Sequence, residues 1–562
     1  MKVIDTDVLV IGTGGAGLYA AIRASEAGQR VTILDKGLVG RSGGTVSGAG
    51  VSAVGPWSES DDSVDVHFRD TVVGGSYLSD QPLVRVLTSE AQDRVREMES
   101  WGLCFDKKPD GRYVLDRAGG HSHSRVMAIS DRVGLQMTKV LRAQLLRQGV
   151  DHHPDITTTR LFTKDGKIVG AMGLDLGNGA LVQFNAPAVV LATGGVGQLY
   201  PVTSNPIKVT GDGLALALEA GASLINMEQV QFYPCGLVHP PSLHGFILGI
   251  QEYAKLYNVH EERFMAKYEP ELIEHVTRDR LARGIYTEIA ECRGTEHGGV
   301  FLDATEVPEE TLKSFMYERE MCAERGFDYH EKRVEIAPSA HFFMGGVAID
   351  SDAQTTVSGL FAAGEVSGGV QGGNRLSGNS LSEILVFGSR AGASAARYAA
   401  QTDRQTPGKA AVDEETARVQ QLLQRDNSDV TPAQAKERLR TVMQTHVYVS
   451  RTIKGLKAAR EALQDMAQDL LPRITISGSG LHQNYSLLAY LDLEKMLKVA
   501  QMIVAAAQER KESRGAHYIE DFPELDTTSP PYCTIIQKGD NVLGLKVGKR
   551  PVEITELYPE TS

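Results

Sequence analysis

A single glycine-rich turn constrains the fold of this chain more than any other feature. The segment Gly12–Gly17 (GTGGAG) follows an apolar strand pattern at residues 8–11 and opens a helical pattern near Ala16. This order of strand, turn and helix is typical of a dinucleotide-binding βαβ unit. Gly12 permits the tight turn, Gly14 lets the backbone approach a pyrophosphate, and the last glycine allows close packing of helix on strand. The helix N-terminus would face the phosphates.

An acidic residue completes the dinucleotide pattern. Asp35 lies at the end of the next apolar strand pattern, residues 31–34. A carboxylate at this position can accept hydrogen bonds from the adenosine ribose. The sequence therefore predicts an α/β chain with a bound dinucleotide.

Composition excludes several classes of protein. The 562 residues exceed what one compact core holds, so several domains are expected. The net charge is −13 and no Lys/Arg-rich run occurs, which argues against a nucleic-acid partner. No apolar stretch reaches the roughly 18 residues of a membrane helix, and Met1–Asp7 lacks a signal-peptide layout, so we expect a cytoplasmic chain with no direct membrane span. Five scattered cysteines predict no disulfide framework, no metal site and no iron–sulfur cluster.

Further motifs identify a family. They are Arg41–Gly50 (RSGGTVSGAG), Thr210–Gly213 (TGDG), Glu262–Phe264 (ERF), Thr277–Asp279 (TRD), Ala340–His341, Gly359–Glu365 (GLFAAGE), Gly373–Leu381 (GNRLSGNSL) and Glu512–Tyr518 (ESRGAHY). With the first turn, they resemble the flavoprotein subunits of fumarate reductase and succinate dehydrogenase. Relatives of that family are aspartate oxidase and the alpha chain of adenylylsulfate reductase. The resemblance runs from Asp5 to about Asp526.

The resemblance and the element patterns together imply the architecture. We expect an α/β fold with a Rossmann-like, doubly wound FAD-binding domain, an inserted α+β capping domain and a C-terminal helical domain. The predicted boundaries are 1–235 for the first part of the FAD-binding domain, 236–340 for the capping domain, 341–405 for the second part of the FAD-binding domain, 411–512 for the helical domain and 513–562 for a C-terminal segment. Thr431 and Gln434 form a predicted capping box inside the helical domain.

The cofactor implied by the resemblance is FAD. The residues expected to hold it are Gly12, Gly14, Gly15, Ala16, Gly17, Asp35, Lys36, Ser42, Gly43, Gly44, Thr45, Gly50, Asp212, Glu365, Asn379, Ser380 and Leu381. In the family, a histidine that binds the flavin covalently falls in the stretch 42–45. Gly43 and Gly44 stand there instead, so we expect non-covalent FAD.

Three residues match the family's chemistry. Arg278 matches the arginine that transfers a proton, and His341 with Arg375 matches the pair that binds one substrate carboxylate. A guanidinium fits a carboxylate with two parallel hydrogen bonds, and polarising that carboxylate makes the adjacent double bond a better hydride acceptor. Arginine hardly ever releases its proton, so Arg278 needs a relay that reloads it.

Two departures concern the rest of the pocket. Tyr233 stands where the family has a second substrate histidine. The family's Thr-Glu-x-x-Arg segment is matched only by Gln251–Lys255, which would make Gln251 a substrate contact and Glu252 with Lys255 the proton relay. The alternative is an ordinary i,i+3 ion pair between Glu252 and Lys255 on a helix surface.

The expected function is hydride transfer between flavin and the carbon–carbon bond next to a carboxylate. The alternatives are an amino-acid oxidase of the aspartate oxidase type, a protein like adenylylsulfate reductase, and a non-catalytic electron-relay protein. The expected partners are a small carboxylate substrate and an iron–sulfur protein, which could also tether the chain to a membrane. Because a neutral Tyr233 replaces a histidine, we expect an enoate other than fumarate, either larger or singly charged, or with a carbonyl or thioester at its far end. The alternative is a dicarboxylate held by other residues.

Overall fold

The computed structural model describes residues 1–425, 430–541 and 543–559. The strands are β1 (Lys2–Asp5), β2 (Val8–Ile11), β3 (Val31–Leu34), β4 (Gly50–Ser52), β5 (Leu115–Asp116), β6 (Val126–Ala128), β7 (Asp151–His153), β8 (Ile156–Lys164), β9 (Lys167–Asp175), β10 (Ala180–Asn185), β11 (Ala188–Leu191), β12 (Leu224–Ile225), β13 (Val230–Leu237), β14 (Lys255–Tyr257), β15 (Val300–Asp303), β16 (Val334–Phe343), β17 (Gly346–Ala348), β18 (Leu360–Ala362), β19 (Ser367–Gly368), β20 (Tyr532–Lys538) and β21 (Leu545–Pro551).

The helices alternate with these strands in the first two thirds of the chain and follow one another afterwards. They are α1 (Gly15–Glu26), α2 (Val64–Gly74), α3 (Gln81–Ser100), α4 (Val133–Arg147), α5 (Asp212–Glu219), α6 (Met265–Tyr268), α7 (Arg278–Ala290), α8 (Glu309–Leu312), α9 (Met316–Ala323), α10 (Asn379–Ala400), α11 (Lys409–Leu422), α12 (Pro432–His446), α13 (Ile453–Asp465) and α14 (Tyr485–Glu509). None of the described helices is long and apolar enough to cross a bilayer.

A parallel five-stranded sheet lies at the centre of the FAD-binding domain. Its strand order is β18-β11-β2-β3-β7, and each pair is parallel. The strands β2, β3 and β11 are buried along their whole length, as expected for apolar strands covered on both faces. The helices α1 and α10 pack against each other beside this sheet. The predicted βαβ unit and the doubly wound α/β fold are confirmed.

The inserted domain has its own sheet and core. Its strand order is β13-β16-β15-β14, and its buried cluster includes Leu237, Leu256, Leu302 and Ile336. The predicted boundaries at 236 and 340 fall inside β13 and β16, not between elements. Antiparallel pairing of these two long strands continues across both boundaries, so the same strands leave and re-enter the FAD-binding domain.

The C-terminal third contains the helical domain and a final hairpin. The helices α11 to α14 cover most of the predicted helical region, and Thr431 with Gln434 forms the predicted capping box. The hairpin of β20 and β21 joins the sheet β19-β17-β12-β20-β21 through β12. The C-terminal segment therefore completes a sheet of the FAD-binding domain, a non-local pairing that the sequence pattern did not reveal.

Candidate active site

A cavity of about 680 Å³ opens between the FAD-binding domain and the cap. It begins at the carboxyl ends of the central strands, where Ile11, Leu34, Ala192 and Ala363 contribute to its wall. Ligands of doubly wound sheets bind at this edge. Cap residues line its other side, namely Gly249, Glu252, Tyr253, Lys313, Ser314, Phe315 and Glu318.

Most residues predicted to hold FAD line this cavity. They are Gly12, Gly14, Gly15, Ala16, Asp35, Lys36, Ser42, Gly43, Gly44, Thr45, Gly50, Asp212, Glu365, Ser380 and Leu381. Two predicted residues do not line it. Gly17 serves packing, because a Cβ there would lie 2.0 Å from the carbonyl oxygen of Gly12. Asn379 is a buried structural residue that hydrogen-bonds Ser52, His67 and Thr71.

The backbone around the cavity leaves room for a dinucleotide. Gly12 has φ +105°, and a Cβ on it would lie 2.3 Å from the carbonyl oxygen of Ala192, so only glycine fits the turn. The N-terminus of α1 follows at once and faces the cavity. Asp35 is fixed beside it, because its carboxylate accepts hydrogen bonds from the Thr13 and Gly37 amides at 2.9 and 2.6 Å. These features fit the pyrophosphate and ribose of FAD.

One lysine at the same wall pairs with two aspartates. The Lys36 ammonium lies 3.1 Å from Asp212 and 3.3 Å from Asp492, and it donates to the Thr210 hydroxyl at 2.6 Å. Asp492 belongs to α14, so this buried ion pair also joins the helical domain to the cofactor cavity.

At one end of the cavity, Arg375 presents an incomplete set of hydrogen bonds. It is 6% exposed, and its Nη atoms donate to Gln231 Oε1 at 3.0 Å and to the Leu376 carbonyl at 3.1 Å. Its buried Nε has no partner among the described residues. Burial, together with the positive charge of Arg278, lowers the pKa of Arg375 to about 9. An anion that binds this guanidinium from the cavity would offset part of the cost of its burial.

His341 lies in the same wall and points its ring into the same space. Its Nδ1 is 2.9 Å from the Ser204 hydroxyl, and its ring centroid is 5.4 Å from that of Tyr233. Burial and the two arginines hold the pKa of His341 well below its usual value, so the ring is neutral. Burial also raises the pKa of Tyr233, which leaves its hydroxyl neutral.

Arg278 comes from the cap as the first residue of α7. Its guanidinium stacks over the Tyr233 ring at 4.8 Å and makes no hydrogen bond or ion pair with the rest of the described chain. Arg278, His341 and Arg375 therefore line one cavity, although they are far apart in the sequence.

The segment 251–255 divides between three environments. Glu252 ends a short 3₁₀ turn, Gly249–Glu252, and lines the mouth of the cavity. Partial burial raises the pKa of Glu252, Asp116 across the cavity raises it further, and Arg278 opposes both. The neighbouring Gln251 points the other way, into the cap beside Cys235 (Oε1 to Sγ 3.9 Å).

The structure also leaves Lys255 outside the site. It lies on β14 and pairs with Glu306 at 2.5 Å, not with Glu252. The chain turns and enters a strand between 252 and 255, so Lys255 contacts neither the site, as the predicted relay requires, nor Glu252, as the alternative helical ion pair requires. Four further residues line the same cavity as Glu252 and Arg278, namely Asp116, Tyr253, Phe315 and Glu318. Sequence reasoning missed all four, because none belongs to a recognisable motif.

Comparisons with known proteins agree with this geometry. Residues 7–381 match the family model of the FAD binding domain, and residues 436–562 match that of the fumarate reductase flavoprotein C-terminal region. A fumarate reductase (CoM/CoB) subunit of Methanothermobacter marburgensis is 41% identical over 528 residues, which are 93% of this chain and 95% of that protein.

Two solved structures have the same fold along the whole chain. The E. coli quinol fumarate reductase flavoprotein superposes with a TM-score of 0.92 at 30% identity, covering 100% of this chain and 99% of that one. Mycobacterium smegmatis Sdh1 in complex with UQ1 superposes with a TM-score of 0.90 at 35% identity, covering 99% and 95%.

Proposed function

The chain belongs to the fumarate reductase/succinate dehydrogenase flavoprotein family of FAD-dependent oxidoreductases acting on CH–CH bonds, and we propose that its substrate is an enoate anchored by Arg375 and His341. The observation that carries this proposal is that the buried Arg375, whose Nε has no partner among the described residues, lines the cavity that Arg278 and His341 also line. A carboxylate is the group that a partly satisfied guanidinium fits best.

The walls of the cavity supply the cofactor site. The N-terminus of α1, Asp35, the 42–50 loop and Glu365 would hold FAD. When bound, FAD would accept or donate the hydride at the carbon–carbon bond next to the carboxylate. Attachment would be non-covalent, because Gly43 and Gly44 offer no side chain that could bond to a flavin. Acid precipitation should release all the yellow colour, and colour retained in the pellet would contradict this.

The residues of this chain divide the remaining work. Arg375 and His341 would bind the carboxylate and draw electron density from the adjacent double bond. Arg278 would give a proton to the carbon that does not receive the hydride, and Glu252 would return a proton to Arg278. Partial burial raises the pKa of Glu252, and a rise in this direction favours proton donation by the carboxyl group.

The opposite end of the pocket supports a substrate other than fumarate. Tyr233 is neutral there, and the carboxylates of Asp116 and Glu252 face the same space. The described cap residues that line the cavity include two cations, Arg278 and Lys313, and Lys313 already pairs with Glu310. A second substrate carboxylate would therefore meet like charges, with Arg278 as the cation that has no ion-pair partner in the described part of the chain. A larger or singly charged enoate, or one with a carbonyl or thioester at its far end, fits this environment better.

Kinetics would test this proposal. We would measure oxidation of reduced benzyl viologen by the FAD-loaded chain, with fumarate beside monocarboxylate and substituted enoates. At least one substituted or singly charged enoate should give a higher kcat/KM than fumarate. If fumarate gives the highest value, our description of the far end is wrong, and if no enoate oxidises the viologen, the proposed function fails.

We also propose that a separate iron–sulfur protein carries electrons to this chain. All five cysteines are free, and the three buried ones are divided between two clusters, Cys235 and Cys322 in the core of the cap and Cys533 beside the C-terminal hairpin. The M. marburgensis relative is named as one subunit of an enzyme. Purification of the native protein from its source should yield a complex, with association at a membrane through that partner. A lone chain with full activity would contradict the proposal.

A further inference from the structure

Glu318 on α9 is a buried carboxylate that the proposed chemistry does not use. It is 9% exposed, lines the cavity and pairs with no cation among the described residues. Its Oε1 accepts from the Gly249 amide at 2.6 Å, and its Oε2 accepts from the Ile250 amide at 3.4 Å. Burial raises the pKa of Glu318 to about 8 despite these two hydrogen bonds. A group this costly to bury calls for an explanation.

The two amides open the 3₁₀ turn Gly249–Glu252. The first N–H groups of any helical turn have no partner within it, so an acceptor from elsewhere fixes the position of the turn. Glu318 is that acceptor. A Cβ on Gly249 would lie 2.8 Å from the Glu318 Oε1, so glycine permits the close approach. The last residue of the same turn is Glu252.

Aromatic contacts reinforce the link between α9 and this turn. The ring of Phe315, directly before α9, lies 6.0 Å from the ring of Tyr253, directly after the turn. The ring of Tyr317 lies 6.0 Å from that of Phe246, which precedes the turn. Phe315, Tyr317 and Glu318, which are close neighbours in the chain, therefore contact the turn and its flanking residues on both sides and at its first amides.

The same element is held against the FAD-binding domain. The Tyr317 amide donates to the Asp131 carboxylate at 3.0 Å. Arg132 forms an ion pair with Glu320, and its guanidinium lies 4.8 Å from the centre of the Tyr317 ring. These contacts join the cap to the FAD-binding domain, because Asp131 and Arg132 directly precede α4 of that domain.

We propose that Glu318 is a positioning residue for proton delivery. It holds the turn that places Glu252 at the cavity mouth near Arg278, and the contacts of Asp131 and Arg132 set the position of α9 against the FAD-binding domain. When the cap docks on the FAD-binding domain, the same contacts therefore also position Glu252, the proton donor. This inference rests on the proposed function, because it needs Glu252 to serve Arg278.

The test compares Glu318→Ala, Glu318→Gln and the matched control Glu324→Gln in the FAD-loaded chain. Glu324 lies just after α9, is exposed and pairs with Arg325. With the best enoate of the panel, Glu318→Ala should lower kcat about 10-fold or more with KM within about twofold, because only the proton step loses its geometry. The solvent deuterium isotope effect on kcat should grow.

Glu318→Gln should recover most of the lost kcat, because its amide oxygen can still accept from the Gly249 N–H, which makes the shorter of the two bonds. The control should match the wild type. A wild-type kcat in Glu318→Ala would overturn the inference. So would equal losses in the Ala and Gln variants, which would mean that the carboxyl group itself is required and not its acceptance of the turn amides.

Arg132→Ala provides a second arm that leaves the cap core intact. It should lower kcat about threefold to 10-fold at unchanged KM and FAD content, since the turn itself stays formed. An unchanged kcat would show that the contacts of Arg132 do not help to position Glu252. Failure of the proposed function would look different, because the wild type would then reduce no enoate.

Discussion

The two ends of the substrate cavity are built in opposite ways. At the anchor end, Arg375 is buried and its partners Gln231 and Leu376 belong to the FAD-binding domain and the strand that leaves it. At the proton end, Glu252 lies exposed on a short cap turn that one buried carboxylate holds. At the anchor end, a buried guanidinium binds the substrate carboxylate. At the proton end, the position of Glu252 depends on how the cap is placed. Damage to the two ends should therefore appear in different kinetic parameters.

The largest effect should come from the residue between the two ends. Arg278→Ala should lower kcat about 10³-fold or more while FAD content stays normal, because general acid catalysis contributes roughly that much. Steady-state viologen assays and flavin absorbance would measure both quantities. Arg283→Ala is a matched control on the same helix, since Arg283 pairs with Asp279 and does not line the cavity. A near-normal kcat in Arg278→Ala would show that Arg278 does not transfer the proton.

Loss of the anchor should appear mainly in KM. Arg375→Ala removes charge-assisted hydrogen bonds that are worth about 1.5–3 kcal/mol, so KM should rise about 10-fold to 100-fold. Arg375→Lys should recover only part of this affinity, because an ammonium cannot form the two parallel bonds. A loss confined to kcat in both variants would contradict the anchor assignment.

The two candidate relay residues should differ from each other. Glu252→Gln should lower kcat about 10-fold to 100-fold, because the amide cannot pass a proton to Arg278. Lys255→Gln should stay within about twofold of the wild type, because Lys255 is tied to Glu306 on the surface, where such pairs contribute little. Equal losses would show that Lys255 reaches the relay when substrate is bound.

The smallest effect concerns stability near the anchor end. Burial raises the pKa of Glu383 from 4.5 to about 7, and Glu365 adds to the rise while Gln371 opposes it. Below pH 4.5 this group contributes nothing. As pH rises from 4.5 to 7, the unfolded chain ionises while the folded one stays protonated, so stability falls by at most about 3 kcal/mol.

Glu383→Gln should therefore gain Tm relative to the wild type as pH rises through this window. Thermal scans from about pH 5 to about pH 8 would measure the difference. A difference that does not change with pH would mean that Glu383 is ionised in the folded protein.

The sequence predicted some parts of this molecule well, for physical reasons. The turn at Gly12 and the acid at Asp35 are local signals, since the strand, glycines and helix stand next to each other in the chain. Arg278, His341 and Arg375 could be grouped only through family resemblance, because nothing in their spacing shows that β16 and α7 meet over one cavity.

The misses come from non-local geometry. The family resemblance predicts Gln251 and Lys255 in the site, but a 3₁₀ turn followed by a strand directs both side chains away from it. Glu318 has no sequence signal, because its role depends on amides about seventy positions earlier in the chain. The pairing of β20 with β12 was invisible for the same reason.

One measurement tests the central claim most directly. The FAD-loaded wild type and Arg278→Ala are reduced without oxygen and mixed with the best enoate of the panel in a stopped-flow spectrometer. The account predicts that the oxidised flavin absorbance returns in the wild type within one turnover. In Arg278→Ala, the enoate should bind and perturb the spectrum while the absorbance stays bleached. Return of the absorbance at the same rate in both proteins would contradict the account.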